Sequence, residues 1–330
     1  MKLLWLLASV VQIFDFICCY SVFSVTSVAE RCIMKILECV PNFSEGRDES
    51  KVEQIVGEVR KTPGVKLLDY FSDADHNRTV VTFLGEPAAL RGAALRASLK
   101  ALEIIDMRTH QGGHPRIGAV DVVPFVPVRG VDMSEAAHLA QEMGRELGEA
   151  GQLPVYFYAE AATDPKRRKL ANIRKGQYEG LKEKLATPGW GPDAGVPVFN
   201  PKSGAAVVGA RMPLIAFNVN LRPPKLDQAR VIARKIRESS GGIPSVQAIG
   251  LELKEKGMVQ VSMNLTDYRR ASISAVVESI RRESAGKGLE IAGCEVVGLV
   301  PMEALVDVVR EYLKMPELDM KQIIETHLLE

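Results

Sequence analysis

Cysteine is scarce and poorly spaced for cross-linking. The 330 residues contain five, an odd number with no C-x-x-C pair, which excludes a disulfide framework and a zinc ribbon. Neither sign of charge is in surplus: 42 Lys and Arg meet 41 Asp and Glu, so the basic excess that a nucleic-acid partner needs is missing. Neither G-x-G-x-x-G nor G-x-x-x-x-G-K-[ST] occurs, which removes both common nucleotide-phosphate cradles. Histidine is rare, five in all. What is present is globular composition, 46% hydrophobic and 25% charged, in a chain long enough for about two domains.

The first 33 residues stand apart. Residues 3–29 hold one charge, Asp15, among Trp5, Phe14, Phe16, Tyr20 and Phe23. Ser27-Val28-Ala29 suits signal-peptide cleavage, but Lys2 is a meagre positive head. The length suits a membrane anchor, although Asp15 in mid-segment would be costly. Met34 opens a strand-like stretch, and a translation start assigned too early is the preferred reading of residues 1–33. Without them only Cys39 and Cys294 remain, and a cytoplasmic location is expected.

From Met34 strand and helix signals alternate. Strand 35–41, helix 49–62, strands 65–71 and 78–85, helix 87–105 and strand 119–126 give β-α-β-β-α-β, with Pro124 suggesting an edge or strand end. Asp132 and Glu135 cap a helix over 133–149, and 154–159 is a strand. The order then repeats: strand 212–220, helix 227–239, strands 246–254 and 258–265, helix 272–285, strand 293–300. Corresponding elements start roughly 175–185 residues apart, the sign of a structural duplication. The expected fold is α+β, two ferredoxin-like subdomains in tandem (34–204 and 205–330), with antiparallel sheets and helices on one face.

The connection 164–204 is too long for a plain loop. It carries Lys166, Arg167, Arg168, Lys169, Arg174, Lys175, Lys182 and Lys184, then a Gly- and Pro-rich run with Trp190 and Phe199. Flat apolar surface there favours a binding loop.

Chemistry concentrates in His110-Gln-Gly-Gly-His114-Pro-Arg116-Ile-Gly-Ala-Val-Asp121. Its glycines and proline argue for a loop entering a strand, so the two histidines do not share a helix face. Histidine titrates near neutrality and suits general acid or base work. A second cluster, Asp73-Ala-Asp75-His76-Asn77-Arg78, lies at a hairpin tip and could ligate a metal or merely turn the chain. Arg78 and Arg116 are candidate anion anchors, because guanidinium pairs with carboxylate bidentately.

Several stretches resemble the formiminotransferase (glutamate formimidoyltransferase) family. They include Glu38-Cys-Val-Pro-Asn-Phe-Ser-Glu-Gly46, Asn77-Arg78-Thr-Val, Ile105-Asp-Met107 and His110-x-Gly-x-His114-Pro-Arg116-x-Gly118-Ala-x-Asp121. Pro124-Phe-x-Pro-Val-Arg-Gly130, Pro154-Val-Tyr156, Gly209-Ala-Arg211 and Leu214-Ile-Ala-Phe-Asn218-x-Asn-Leu221 follow in order. The resemblance implies transfer of the formimino group from N-formimino-L-glutamate to N5 of tetrahydrofolate, a co-substrate, with no metal. It implies His114 as the catalytic residue, and a histidine with a pKa near 7 could serve as base and then as acid. It implies a folate-binding segment over Gly195-Val196-Pro197-Val198-Phe199-Asn200-Pro201-Lys202-Ser203-Gly204. Animal members carry Trp where Ser203 stands, so Trp190 or Phe199 is expected to stack on folate instead. Arg78, Arg116, Asp73 and Asp121 are expected to contact substrate, and the basic run 166–184 to attract polyglutamylated folate. A homodimer is expected, and no counterpart of the animal cyclodeaminase half follows in this sequence. Three other readings are a related folate activity such as 5-formyltetrahydrofolate cyclisation, a folate-binding protein without turnover, and a metal-dependent hydrolase using Asp73, Asp75, His76, His110 and His114.

Overall fold

Proline cannot donate to a β-ladder, and Pro41 accordingly splits the first predicted strand into β1 (Ile36–Cys39) and β2 (Asn42–Phe43). The structure, a computed structural model, describes residues 34–329; the expectations for residues 1–33 lie outside them. β1 and β2 run end to end between the same two neighbours. Helix α1 (Glu49–Arg60) starts at Asp48, whose side chain accepts the Lys51 N–H, and buries Val52, Ile55, Val56 and Val59. β3 (Val65–Asp73) and β4 (Arg78–Gly85) form a hairpin, α2 (Pro87–Ile104) returns, and β5 (Val120–Arg129) closes an antiparallel set ordered β3-β4-β1/β2-β5.

Helix α3 (Met133–Gly151), capped by Asp132, leads to β6 (Pro154–Ala159). The connection supplies α4 (Leu170–Arg174), α5 (Leu181–Ala186) and the short β7 (Ala194–Gly195). A strand not foreseen from the sequence, β8 (Ala206–Ala210), then runs parallel to both β5 and β6 and lies between them. The first sheet is mixed rather than antiparallel as expected, and it includes β8, which follows Gly204. Pro124 also marks no edge: β5 is central, and Pro124 lies opposite the Val40–Pro41 break, where no ladder donor is needed.

The second half runs β9 (Ile215–Arg222), α6 (Leu226–Ile236), β10 (Val246–Leu253), β11 (Met258–Leu265), α7 (Ile273–Ala285), β12 (Glu290–Val297). Its four strands are all antiparallel in the order β10-β11-β9-β12, and a further helix, α8 (Met302–Tyr312), packs on α7. No helix among the described residues is long and apolar enough to cross a membrane.

Each sheet has its own core. One lies between the first sheet and α1–α3, around Phe43, Phe83, Phe125 and Met143. The other lies under α6 and α7, around Phe217, Ile232, Val261 and Ile280. A third cluster fills the opposite face of the first sheet, where Val122, Tyr156, Tyr158 and Val207 meet Ile173, Leu181, Trp190 and Phe199 of the connection. The connection is thus a packed layer.

A buried ion pair holds that layer. Arg167 meets Asp193 at 2.5 Å, both nearly inaccessible, and Asp193 also accepts the Phe157 N–H at 2.8 Å. Arg167 donates to the carbonyls of Gly189 and Gly191. Removing one partner leaves an uncompensated buried charge, so Asp193→Ala should cost ~3–5 kcal/mol in urea unfolding. Arg168→Ala, which breaks an exposed pair with Glu160, should cost at most ~1 kcal/mol. Equal effects would show that the Arg167–Asp193 pair does not hold the layer.

Candidate active site

The loop 110–118 is fastened on three sides. His110 donates from Nε2 to the Asn77 carbonyl at 3.0 Å and accepts from Arg116 Nε at 3.2 Å on Nδ1. Asn77, at φ 48°, accepts the Gly46 N–H and donates to the Gln111 carbonyl. Close approach requires glycine: a Cβ on Gly112 would sit 2.2 Å from the His76 carbonyl, and one on Gly118 2.1 Å from that of Ala205. On the far side Ala119 N donates to Ser203 O and Ala205 N to Ile117 O, which joins the end of segment 195–204 to this loop.

These bonds separate the two histidines. His110 has both ring nitrogens engaged and braces the loop. His114 meets the Arg78 guanidinium through Nε2, while its buried Nδ1 has no partner among the described residues. Guanidinium has no lone pair, so the contact needs a neutral imidazole with Nε2 as acceptor. The charges around it agree. Burial first, then Arg78 and Arg174, pull the His114 pKa from its ordinary 6.5 down to about 3, which corrects the near-neutral value expected from the sequence. His76 stands edge-on to it at 6.3 Å between ring centroids.

Asp121 lies where β5 slips register against β2: Asn42 faces Val122 and Phe43 faces Val120, leaving Asp121 as the extra residue. The bulge turns its buried carboxylate to accept the Ile117 N–H at 3.1 Å and a two-nitrogen pair from Arg174. Arg174, on the last turn of α4, went unnoticed in the sequence because it is one of eight cations in a run.

Arg116 behaves unlike an open anion anchor. Nε gives to His110 Nδ1, Nη1 to Gln177 and Glu179, and Nη2 to Glu179 and the His110 carbonyl, so all five N–H groups have acceptors. These bonds give it a bracing role in the loop. Asp73 takes the His76 N–H at 2.9 Å and His76 Nδ1 at 2.6 Å within the exposed hairpin tip. Neither its carboxylate nor that of Asp121 has a bond to His114. Among the described residues no three His, Cys, Asp or Glu side chains gather as a metal ion would require.

Segment 195–204 is shaped by its own bonds. Asn200 Oδ1 accepts the N–H groups of Lys202 and Ser203, Lys202 Nζ reaches the Glu103 carbonyl, and the Phe199 ring packs on Tyr178 at 5.5 Å. Ser203 is buried, while Val198 is exposed. Trp190 carries Lys184 and Lys166 over its ring at 4.7 and 5.2 Å. The basic run is mostly spent internally. Lys166, Arg167, Arg168 and Arg174 pair with Asp164, Asp193, Glu160 and Asp121, and burial lowers Lys184 to about 8.

Beyond Asp121, the same face of the first sheet carries Tyr158, Arg211 and Glu38. Burial raises the Glu38 carboxyl and Arg211 opposes it.

The model of the formiminotransferase domain's N-terminal subdomain matches residues 36–211, and that of the formiminotransferase domain matches 216–328. A glutamate formimidoyltransferase of Streptococcus pyogenes serotype M1 is 43% identical over 296 residues, 89% of this chain and 99% of that protein. One from Thermoplasma acidophilum is 45% identical over 294 residues, 88% of this chain and 97% of that protein. The formimidoyltransferase-cyclodeaminase of Rattus norvegicus is 45% identical over 284 residues, which span 52% of its length.

The histidines set a pH dependence. His110, mainly by burial, and His114 both have folded-state pKa values below 6.5. The unfolded chain takes up protons that the fold refuses, so this stability is complete above pH 6.5 and is lost as pH falls from 6.5 toward about 3. The melting temperature should therefore drop through that window, and less steeply in His114→Asn. Identical slopes for the two proteins would mean that His114 protonates normally in the fold.

Proposed function

The chain belongs to the formiminotransferase family, and on that footing we propose that it transfers the formimino group of N-formimino-L-glutamate to N5 of tetrahydrofolate, releasing L-glutamate. The observation that carries this is the near-complete alignment with two glutamate formimidoyltransferases at 43% and 45% identity. Tetrahydrofolate is a co-substrate in this reaction, and segment 195–204 is read as part of its site. We read each half as a ferredoxin-like unit, supported by the matching strand orders β3-β4-β1/β2-β5 and β10-β11-β9-β12.

The chemistry is one addition and one elimination. The N5 amine attacks the amidine carbon; a tetrahedral intermediate forms; the bond to the glutamate nitrogen breaks. N5 loses one proton and the departing amine gains one. A neutral His114 suits the first transfer and, once protonated, the second, a contribution of typically ~10²–10⁴-fold. Arg78 caps Nε2. A substrate carboxylate that draws Arg78 to itself frees that lone pair. It also cancels part of the positive field, so the imidazole becomes a better base when formiminoglutamate is in place. Arg174, held by Asp121, supplies a second cation to the same pocket.

His114→Asn should lower kcat by ~10²–10⁴-fold and leave KM for formiminoglutamate within a few-fold. Arg78→Met should instead raise that KM and let the imidazole resonances of His114 titrate nearer 6.5, read by NMR. Full turnover by His114→Asn would remove the acid/base role. Wild-type protein that binds tetrahydrofolate without transfer would favour a binding protein.

A further inference from the structure

The hairpin tip between β3 and β4 carries a second imidazole beside His114. Asp73 Oδ1 accepts the His76 N–H at 2.9 Å, and Oδ2 accepts from His76 Nδ1 at 2.6 Å. The second bond puts a proton on Nδ1 and leaves Nε2 as the nitrogen that gains or loses one. Nε2 makes no hydrogen bond among the described residues. The tip is fastened to the loop 110–118 through backbone: Gly113 N donates to Asp75 O at 3.2 Å, and a Cβ on Gly112 would collide with the His76 carbonyl. These contacts hold the His76 ring edge-on to that of His114, 6.3 Å between centroids, while its side chain stays 53% exposed. His114 is furnished differently. Its Nε2 faces Arg78, its Nδ1 is buried, and its surroundings oppose a positive charge. Such an imidazole accepts a proton but holds one poorly, and the elimination needs a proton delivered to the glutamate nitrogen.

We propose that His76, held by Asp73, is the general acid of the transfer, protonating the departing glutamate nitrogen from Nε2 while His114 accepts the proton lost by N5. The inference rests on the formimino-transfer reading, and it divides between two side chains the proton steps that one could carry in turn. The steps balance. N5 attacks the amidine carbon, and its proton passes to His114. The glutamate nitrogen, protonated by His76, leaves with the electron pair of its bond to that carbon. His114 then holds one proton more and His76 one fewer, and exchange with water restores both. A carboxylate behind the ring and solvent beside it equip His76 to give and regain that proton. The other charged groups around the tip are Asp75, Arg47, which donates to the Ala74 carbonyl, His110, which donates to the Asn77 carbonyl, and Arg78 beyond His114.

The test is steady-state transfer from formiminoglutamate to tetrahydrofolate by the full chain across a range of pH. His76→Ala keeps the backbone N–H that Asp73 accepts. It should lower kcat by ~10²-fold or more, leave KM for formiminoglutamate within a few-fold, and lose the alkaline fall in kcat that a required acid gives the wild type. Imidazole added to the medium should restore much of the lost rate. The 1,3-dimethylimidazolium ion, which has the ring and the charge but no proton to give, should not. Asp73→Asn should lower kcat by a smaller factor with KM unchanged; a change in KM alone would make Asp73 a substrate contact instead of a positioning residue. A His76→Ala protein with wild-type kcat, with its alkaline limb intact, or with no gain from imidazole over the dimethyl ion overturns the inference. Wild-type protein that carries out no transfer overturns the functional reading beneath it.

Discussion

A buried carboxylate must find a cation or lose its charge, and at Asp121 that requirement organises the first half of the molecule. One extra residue in β5 turns the side chain out of the helix-side core. There it takes the Ile117 N–H and Arg174, joining the site loop and the connection to the same strand. With Arg174 seated, α4 lies over Tyr156, Tyr158 and Val207, and the third apolar cluster can close. The pair therefore does more than cancel charge. It decides where the layer that borders the site is laid down.

The electrostatics of His114 follow from how three guanidiniums are employed. Arg116 has no N–H left to give, and Arg174 answers Asp121. Arg78 is different, since its described side-chain contact is to an imidazole that must stay neutral to accept it. Burial pulls the Arg78 pKa down, and nearby Arg174 pulls the same way. Such a group gains when an anion arrives, because the incoming charge offsets both the desolvation and the repulsion. A dicarboxylate suits such a guanidinium better than a neutral molecule does.

Much of this was legible in the sequence, for identifiable reasons. The β-α-β-β-α-β order could be read twice because each helix keeps an apolar stripe and most strands alternate. β8 could not. Its residues, Ala206 to Ala210, are small and buried on both faces, so no alternation marks them. Residue type alone left the two histidines of the loop equivalent; the resemblance pointed to His114, and Arg116 occupies the other. Arg116 was named for its chemistry, but its bracing bonds could not be read, because its partners Gln177 and Glu179 lie more than sixty residues along the chain. Arg174 was hidden for the same reason: nothing local distinguishes a cation paired across 53 residues from its solvated neighbours.

Duplication also explains why the halves differ where they do. Each sheet must cover one face with helices, and this constrains the apolar positions of both copies alike. The other face is free to diverge. In the first half it acquired charge, with Arg78, Asp121, Arg174, Arg211 and Glu38 along it and a layer of connection packed beside them. In the second it acquired amides, joined by Asn220, Gln260 and Glu295. An apolar position on a covered face is fixed by packing, whereas a free face bears only the cost of leaving its polar groups unpaired, and each half meets that cost with its own set of partners.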